Sequence, residues 1–530
     1  MDEKGLDVTT SGSVAPATGH ELSGADGFWD LVRRCADRAG SRPLLLDERD
    51  ASLTVAEFRD RAERVAAALW AQGIGPGTRV AWQLPTRVST ALVMAALARL
   101  GAVQAPVIPM YRERETGAAV EASAAEVMLV PGTWRGFDYA AMARGLPGSP
   151  RVLTIGAEAP ESADPSVLPP APGASGDVRW IYFTSGSSGL PKGAQHADSS
   201  LLAAARGFTL HSGLGTRPDD VGSMPYPIAH IGGIVYLMTA LLGGFPVVLV
   251  EAFDPAATAE VFRRHRVTAT GGSTVFYTAL LAAQRKLPPG ELLVPSLRLL
   301  KGGGAPCPPS VYRAVRAEMR VMLAHDYGMT EVPMICVASP EDTDEQLAET
   351  EGRPIPGNEV RIADGEEILP PGRDGEIQVK GAAVFRGYTD PAQTAEAFTA
   401  DGWFRTGDLG HLRADGYVEV TGRLKDVIIR KGEKIGPLEL ESLLVEHPAV
   451  AEAAVIGLPD ADRGERVCAI VTLRGEARPT LEEIVAYLRN AGLMSQKLPE
   501  QLEIVEELPR TGLGKTSKPA LRRRFAADPV

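Results

Sequence analysis

The stretch that decides the reading runs from Trp180 to Gly193, WIYFTSGSSGLPKG. Trp180 to Phe183 is a short apolar run of β-branched and aromatic residues, the composition of a buried strand. It breaks directly into Thr184, Ser185, Gly186, Ser187, Ser188 and Gly189, and then into Pro191, Lys192 and Gly193. Small hydroxyl and glycine residues leave backbone N–H groups and hydroxyls bare on a concave loop. A nearby lysine adds a point charge. That is the chemistry of a polyphosphate cradle. A Ser/Gly linker has a similar composition, but it needs neither the abrupt exit from a strand nor the closing Pro-Lys-Gly. The stretch is not a Walker A loop, because no Gly-Lys-Ser/Thr follows at the right spacing.

The bulk of the chain sets outer limits. Its 530 residues exceed one ordinary core and imply two or more domains. A composition of 44% hydrophobic and 23% charged residues is that of a globular protein. The net charge of −12 argues against general nucleic-acid binding, which needs a basic face. Cys35, Cys307, Cys336 and Cys468 are scattered, without metal-ligand spacing, and suit a reducing compartment. With no apolar run near Asp2 and Glu3, a cytoplasmic location is expected. Ile231 to Val250 carries no charge and is long enough to span a bilayer, but Gly243-Gly244-Phe245-Pro246 interrupts it. A buried helix, a glycine cap and a buried strand are expected there instead.

Residues 1–24, rich in small and polar types, read as a disordered tail. From Phe28 to Val130 the pattern alternates. Thr54 opens a helix to Trp70, with Glu57 in capping-box position. Strands follow at Arg79–Leu84, Val103–Val107 and Glu126–Val130, with helices between them, as in a parallel βαβαβ sheet. Pro147 to Gly176 reads as a long connection. Beyond the loop, Asp220–Val250 and Val267–Leu281 give further strand and helix pairs. Strands are expected at Ser296–Leu300 and Met322–Ala324, around a helix at Val311–Arg320. From Gly352 to Val420, glycines, prolines and short alternating runs suggest a β-rich subdomain. Gly422 to Glu439 is a hinge candidate. The remainder, with strands at Ala449–Gly457, Arg466–Leu473 and Glu503–Glu506 and a helix at Leu481–Ala491, makes a small α+β unit. The expected fold is α/β: a large domain (25–422) of doubly wound sheets with a β-rich subdomain, and a small α+β domain (423–530).

Five other stretches carry candidate chemistry. His325–Glu331, HDYGMTE, offers Tyr327 to stack on a purine, Gly328 for close approach, the Thr330 hydroxyl, and Glu331 as a hard oxygen ligand for Mg²⁺. Gly402–Gly410, GWFRTGDLG, sets Asp408 among small residues, where a carboxylate can accept from both hydroxyls of a ribose. Gly422–Ile435, GRLKDVIIRKGEKI, is basic. Leu508–Lys518, LPRTGLGKTSK, imitates a Walker A loop but has Pro509 where the first glycine should stand. Pro225–Gly233, PYPIAHIGG, holds His230 on an apolar stretch, where a lone histidine is commonly structural. A strand-to-loop turn, an Asp turn and a solvated basic turn are the bland alternatives for the first three.

Together with FTSGSSGLPKG, these stretches resemble in order the motifs of the AMP-forming adenylating enzymes: acyl- and aryl-CoA synthetases, peptide-synthetase adenylation domains and beetle luciferases. The acyl-CoA synthetases are the nearest of these. The usual phosphate loop has threonines where this chain has Ser187 and Ser188, so the hydroxyls are kept. The resemblance covers nearly all of the chain except the N-terminal tail and the proline-rich connection. It implies that Thr184 to Gly189 and Lys192 bind the nucleotide phosphates, with Thr184 and Glu331 near Mg²⁺. It implies an adenine-edge loop at Gly303, Gly304, Ala305 and Pro306, and nucleotide contacts from Asp326, Tyr327, Gly328, Met329 and Thr330, with Asp408 and Arg423 on the ribose. Lys425 falls at the position about which the small domain rotates, and Gly432 on the pantetheine path. Lys515 would bridge the acyl carboxylate and the α-phosphate, with His230, Gly232, Gly303 and Gly328 on the acyl side; Lys515, Thr330 and His230 are the catalytic candidates.

The function implied is an ATP-dependent carboxylic acid–CoA ligase that forms acyl-AMP and pyrophosphate, then acyl-CoA and AMP. ATP, Mg²⁺ and coenzyme A would serve it, without a nucleic acid or a membrane span, as a monomer or homodimer. An acyl carrier protein in trans is the alternative acceptor, and a luciferase-type oxygenase or a nucleotide-binding protein without turnover lies further off. The acyl pocket is expected between the helix after His230, the Gly271-Gly272-Ser273 turn and the Gly303 loop. Ile231 to Val250 has no aspartate of the kind that holds an amino group in peptide-synthetase domains. An apolar aliphatic or alicyclic acid is therefore expected first, and an aromatic acid next.

Overall fold

The computed structural model describes residues 24–173, 176–185, 191–431, 433–460, 462–510 and 515–526. The tail before Gly24, together with Gly186, Ser187, Ser188, Gly189, Gly432, Thr511 and Gly514, lies outside the described residues.

Trp180–Ser185 sits inside a six-stranded sheet, between Val103–Pro106 and Pro191–His196; Arg79–Trp82, Val127–Val130 and Arg151–Thr154 complete it. All neighbours are parallel except Pro191–His196, which runs antiparallel to Trp180–Ser185 with Thr184 opposite Lys192. The strand thus continues two residues past the apolar run, through Thr184 and Ser185, and Lys192 stands on a strand. The segment expected to be pure connection, 147–176, contributes the edge strand Arg151–Thr154. Its four residues are half-buried or exposed and show no alternation, so no period marked it.

A second, four-stranded sheet is ordered Gly222–Met224, Val247–Leu249, Pro43–Leu46, Ser52–Thr54. Here the capping box forms as expected. Thr54 Oγ1 accepts from Glu57 N–H, and the Glu57 carboxylate accepts from Thr54 N–H, opening helix Val55–Ala71. Helix Ile231–Gly243 ends on Gly244 at φ +70°, and the strand Val247–Leu249 follows. Among the described residues no helix is long and apolar enough to cross a membrane.

A third sheet is three parallel strands: Ala269–Gly272, Leu299–Gly303 and Met322–Asp326. The expected Ser296–Leu300 begins late because a turn, Leu297 N–H to Val294 O, takes its first residues. It then runs on through its glycines. A Cβ on Gly271 would lie 1.7 Å from Lys301 O, and one on Gly303 would lie 1.8 Å from Asp326 O. Only glycine lets these strands pair so closely. The expected helix Val311–Arg320 is a short α-helix, Pro309–Ala314, followed by a π-helical turn, Val315–Met319.

Five antiparallel strands between Asn358 and Arg423 form the β-rich subdomain. The C-terminal unit has its own core around Ile428, Leu440, Val455, Ala469 and Ile484. Its sheet is ordered Glu433–Ile435, Ile428–Arg430, Gly464–Leu473, Val450–Asp460, and Gln501–Ile504 adds in parallel to Gly464–Leu473. That last strand lies two residues before the expected Glu503–Glu506.

One buried ion pair braces the third sheet. Lys301 Nζ lies 2.6 Å from Asp326 Oδ1, both side chains 2% exposed, and it also donates to Ala338 O. Burial pushes the Asp326 carboxyl up to about 6 and the Lys301 ammonium down. Removing one partner of such a pair strands the other. Lys301→Met is expected to destabilise the fold by about 3–5 kcal/mol at neutral pH. A carboxyl whose native pKa lies above its unfolded value binds protons more tightly when folded, so the deficit shrinks as pH falls. The double variant Lys301→Met, Asp326→Leu recovers most of it. Thermal unfolding midpoints across pH check both outcomes.

Candidate active site

Strand ends from three sheets meet at one cleft, and the carboxylate of Asp408 is its centre. Asp408, 3% exposed, lies on strand Phe404–Leu412, directly across from Arg423 on Val418–Arg423. Arg423 Nε is 2.8 Å from Asp408 Oδ1, and Tyr327 Oη donates to Oδ2 at 2.8 Å. Tyr327 immediately follows strand Met322–Asp326, so this carboxylate ties the third sheet to the antiparallel one. The Asp408 charge in turn holds Arg423 firmly protonated.

The loop 327–331 is fixed from behind. Tyr327 exchanges hydrogen bonds with the Cys336 backbone, and Phe385 N–H donates to Glu331 O at 2.8 Å. His196, fully buried, donates from Nε2 to Thr330 O at 2.8 Å, leaving Nδ1 to accept from Ser200 Oγ at 3.0 Å. Burial lowers its pKa to about 4, so this brace stays neutral. Glu331 Oε1 accepts from Tyr388 Oη at 2.7 Å, and the Tyr388 ring lies 5.4 Å from Lys192 Nζ. Gly387 to Thr389 pairs along the edge of Pro191–His196, where a Cβ on Gly193 would strike Thr389 at 2.9 Å. The sequence reading missed Tyr388 and His196. The readable signal for Tyr388 was a tyrosine between Gly387 and Thr389, which looks like any turn; a core histidine such as His196 carries no signal at all.

The C-terminal unit closes the cleft. Lys515 lies within electrostatic reach of Arg423, Asp408, Glu331 and Lys425, and a Cβ on Gly304 would lie 4.0 Å from its Nζ. Desolvation of its ammonium, and then the Arg423 charge, lower the Lys515 pKa to about 8, while the residue keeps an exposed surface. His230 caps helix Ile231–Gly243, with Nδ1 accepting from Gly232 N–H at 3.2 Å. Burial and the Lys515 charge take it down to about 4. A neutral ring whose Nδ1 accepts must carry its proton on Nε2, so His230 has a donor to offer beside Lys515. A small cavity between His230, Thr330, Tyr182 and Phe183 opens at this point.

The other predicted residues fall around this cluster. Thr184 and Lys192 face each other across the hairpin that carries the Ser/Gly loop. Ala305 O and Pro306 O accept from Thr274 Oγ1, which fixes the loop after Gly304. Asp326 is engaged by Lys301 and by Ala338 N–H at 3.1 Å. Lys425 lies exposed in a 3₁₀ turn beside Asp426, which pairs with Arg522 of the last helix at 3.1 Å. Glu331 is a single buried carboxylate, and no cluster of three metal-ligating side chains occurs among the described residues. One hard oxygen suits a Mg²⁺ that keeps most of its other ligands as water and phosphate oxygens.

Comparison with known proteins shows the family. Residues 32–389 match the model of the AMP-binding enzyme family, and residues 439–515 match that of the AMP-binding enzyme C-terminal domain. The chain belongs to this family and is an AMP-forming ligase. It is 32% identical to a medium-chain fatty-acid–CoA ligase of Escherichia coli, covering 95% of this chain and 90% of that one. It is 35% identical to a salicyl-AMP ligase / salicyl-S-ArCP synthetase of Mycobacterium tuberculosis, covering 96% and 93%. Its structure is similar to ATP-bound MatB from Rhodopseudomonas palustris, with a TM-score of 0.85, 30% identity, and coverage of 94% and 99%.

The Lys515 environment has a kinetic consequence. Its ammonium is charged below about pH 8 and neutral above. In the free enzyme kcat/KM for acyl-AMP formation should therefore fall as pH rises through that value. Pyrophosphate exchange across the range measures this. The limb should vanish from the residual activity of Lys515→Ala; its persistence would assign the titration elsewhere.

Proposed function

We propose that the protein is an ATP-dependent carboxylic acid–CoA ligase, and the observation that carries this reading is Lys515 placed within electrostatic reach of His230, Asp408 and Glu331 and beside Gly304. A cation fixed there can hold the acid's carboxylate and the α-phosphate of ATP at once. The carboxylate oxygen attacks the α-phosphorus, the bond to the bridging oxygen breaks, and pyrophosphate leaves. Charge develops on the α-phosphate oxygens during this displacement, and a preorganised cation stabilises it. His230 Nε2–H orients the second carboxylate oxygen. Asp408 holds the ribose hydroxyls, Tyr327 stacks against adenine, and the Thr184–Lys192 hairpin cradles the β- and γ-phosphates. Mg²⁺ held by Glu331 would supply charge neutralisation for the phosphates.

In the second half-reaction the CoA sulfur attacks the acyl carbonyl carbon, AMP leaves, and the thiol proton passes to solvent. Rotation about Lys425 would withdraw Lys515 and bring Gly432 to the thiol path, a conformational gate between the two steps. The uncharged helix Ile231–Gly243 supports an acid with an apolar body, aliphatic, alicyclic or aromatic. The second reading is delivery to a carrier protein, favoured by the relative whose name includes a salicyl-S-ArCP product.

Lys515→Ala should slow acyl-AMP formation by about 10²–10³-fold while largely sparing thioester formation from supplied acyl-AMP. Equal losses in both half-reactions would contradict the gate. Mass spectrometry of products from a panel of acids with ATP and Mg²⁺, with and without CoA, tests the acceptor. Acyl-CoA formed only with CoA supports the ligase. Acyl-AMP that accumulates despite CoA points to a carrier.

A further inference from the structure

The apolar interior beyond His230 ends in two polar atoms that nothing satisfies. Tyr277 is fully buried and His325 is 4% exposed. Among the described residues, neither Tyr277 Oη nor His325 Nδ1 has a hydrogen-bond partner. Their rings meet edge to face at 6.3 Å and 84°. An orphaned buried polar group costs about 1–3 kcal/mol, and phenylalanine in place of Tyr277 would avoid it. Other tyrosines of this chain are partnered: Tyr139 donates to Pro109 O at 2.9 Å and Tyr417 to Asp342 at 2.6 Å. Tyr182, also orphaned among the described residues, lines the small cavity beside His230.

The helix and the strand that carry the two atoms, Thr274–Gln284 and Met322–Asp326, adjoin the Gly271-Gly272-Ser273 turn and the Gly303 strand. On the other side the Lys515 charge acts on His230. Next stands Gly232, where an added Cβ would lie 3.2 Å from His230 Nδ1 and 3.7 Å from the Tyr226 ring. Cys307, Asp326 and Tyr226 raise the Tyr277 pKa further, after burial itself, and Asp326 Oδ2 is likewise without a hydrogen-bond partner among the described residues. Tyr277 belongs to helix Thr274–Gln284, which opens directly after the Gly271-Gly272-Ser273 turn. His325 shares a strand with Asp326 but faces the opposite side of the sheet, as strand alternation requires. Burial, the larger effect, lowers the His325 pKa to about 4 against the Ala305 backbone and keeps the ring neutral. Its Nδ1 has no partner among the described residues. In the Nε2–H tautomer Nδ1 is a bare acceptor, and Tyr277 Oη is a free donor and acceptor.

Resting on the ligase reading above, we propose that Tyr277 Oη and His325 Nδ1 form the specificity end of the acyl pocket and bind a hydroxyl group on the acid, remote from its carboxylate. The Tyr277 O–H donates to the hydroxyl oxygen, and the hydroxyl hydrogen is donated to His325 Nδ1. The acid is apolar along its body and hydroxylated at its far end. A site built to hydrogen-bond a hydroxyl discriminates strongly against the analogue without one, because its own polar atoms then stay unpaired.

The test is pyrophosphate exchange with full-length protein, ATP and paired acids: benzoate, phenylacetate and cinnamate against their ring-hydroxylated forms, and straight-chain acids against their ω-hydroxy forms. The aromatic and straight-chain arms separate the two sources of a hydroxyl. The expected result is a preference of at least about tenfold in kcat/KM for one hydroxylated partner. Tyr277→Phe and His325→Leu should each erase most of that preference while keeping the rate on the unhydroxylated acid. His325→Gln, which retains an acceptor, should restore part of it. Exchange without preference, or a preference unchanged in Tyr277→Phe and His325→Leu, would mean that water alone satisfies these atoms and would overturn the assignment while leaving the ligase reading intact. Loss of folding or of ATP binding in Tyr277→Phe would show the oxygen to be structural and would also overturn it. Exchange with no acid at all would instead sink the ligase reading, and this inference with it.

Discussion

The shared carboxylate of Asp408 is the constraint on which the site depends. Tyr327 Oη holds one oxygen and Arg423 Nε the other, each at 2.8 Å. It fixes the end of the third sheet to two neighbouring strands of the antiparallel sheet, the second of which leads into the C-terminal unit. Charge-assisted hydrogen bonds to a buried carboxylate are among the stronger polar contacts in a protein. Because Arg423 immediately precedes the 3₁₀ turn holding Lys425, the same contact sets where the C-terminal unit departs. Asp426, one residue on, ties that unit's last helix back through Arg522.

What the C-terminal unit delivers is a cation that is uncomfortable where it sits. Desolvation, Arg423 and Lys425 lower the Lys515 pKa, against Asp408 and Glu331. On the proposed ligase reading, a nucleotide would bring negative charge to this spot and hold the ammonium charged. His230 completes the local logic. It stays neutral because it is buried beside that cation, and its Nδ1 is committed to the Gly232 N–H. A residue that reads as structural from sequence is structural here, as a helix cap, and in being so presents its other nitrogen to the cleft.

Much of this was legible in the residues. The run from Trp180 into Ser and Gly marked a strand and loop, Thr54 and Glu57 marked a helix start, and Gly244 marked a helix end; each is a local pattern with a local cause. The family assignment rested on short motifs in order, and the AMP-binding enzyme models cover most of that ground, leaving Gly402–Gly410 and Gly422–Ile435 in the interval between them. Illegible were features that only tertiary contact creates. Arg151–Thr154 is a strand because Val127–Val130 offers it an edge, and its sequence shows no period. Leu299–Gly303 runs through two glycines because parallel neighbours exclude any Cβ. Tyr388 reaches Glu331 from 57 residues away. Lys301 lies one residue past the strand expected at Ser296–Leu300, and its buried role comes from Asp326, which stands near it on the next strand.

The central claim is that Lys515 occupies the cleft for adenylation and leaves it for thioester formation. Amine-selective acylation of the full-length protein, read at Lys515 by mass spectrometry, tests this most directly. One sample holds a non-hydrolysable ATP analogue, and the other holds a non-hydrolysable acyl-AMP analogue with CoA. The account predicts protection of Lys515 in the first and labelling at the rate of exposed lysines in the second. Equal labelling in the two samples would contradict it.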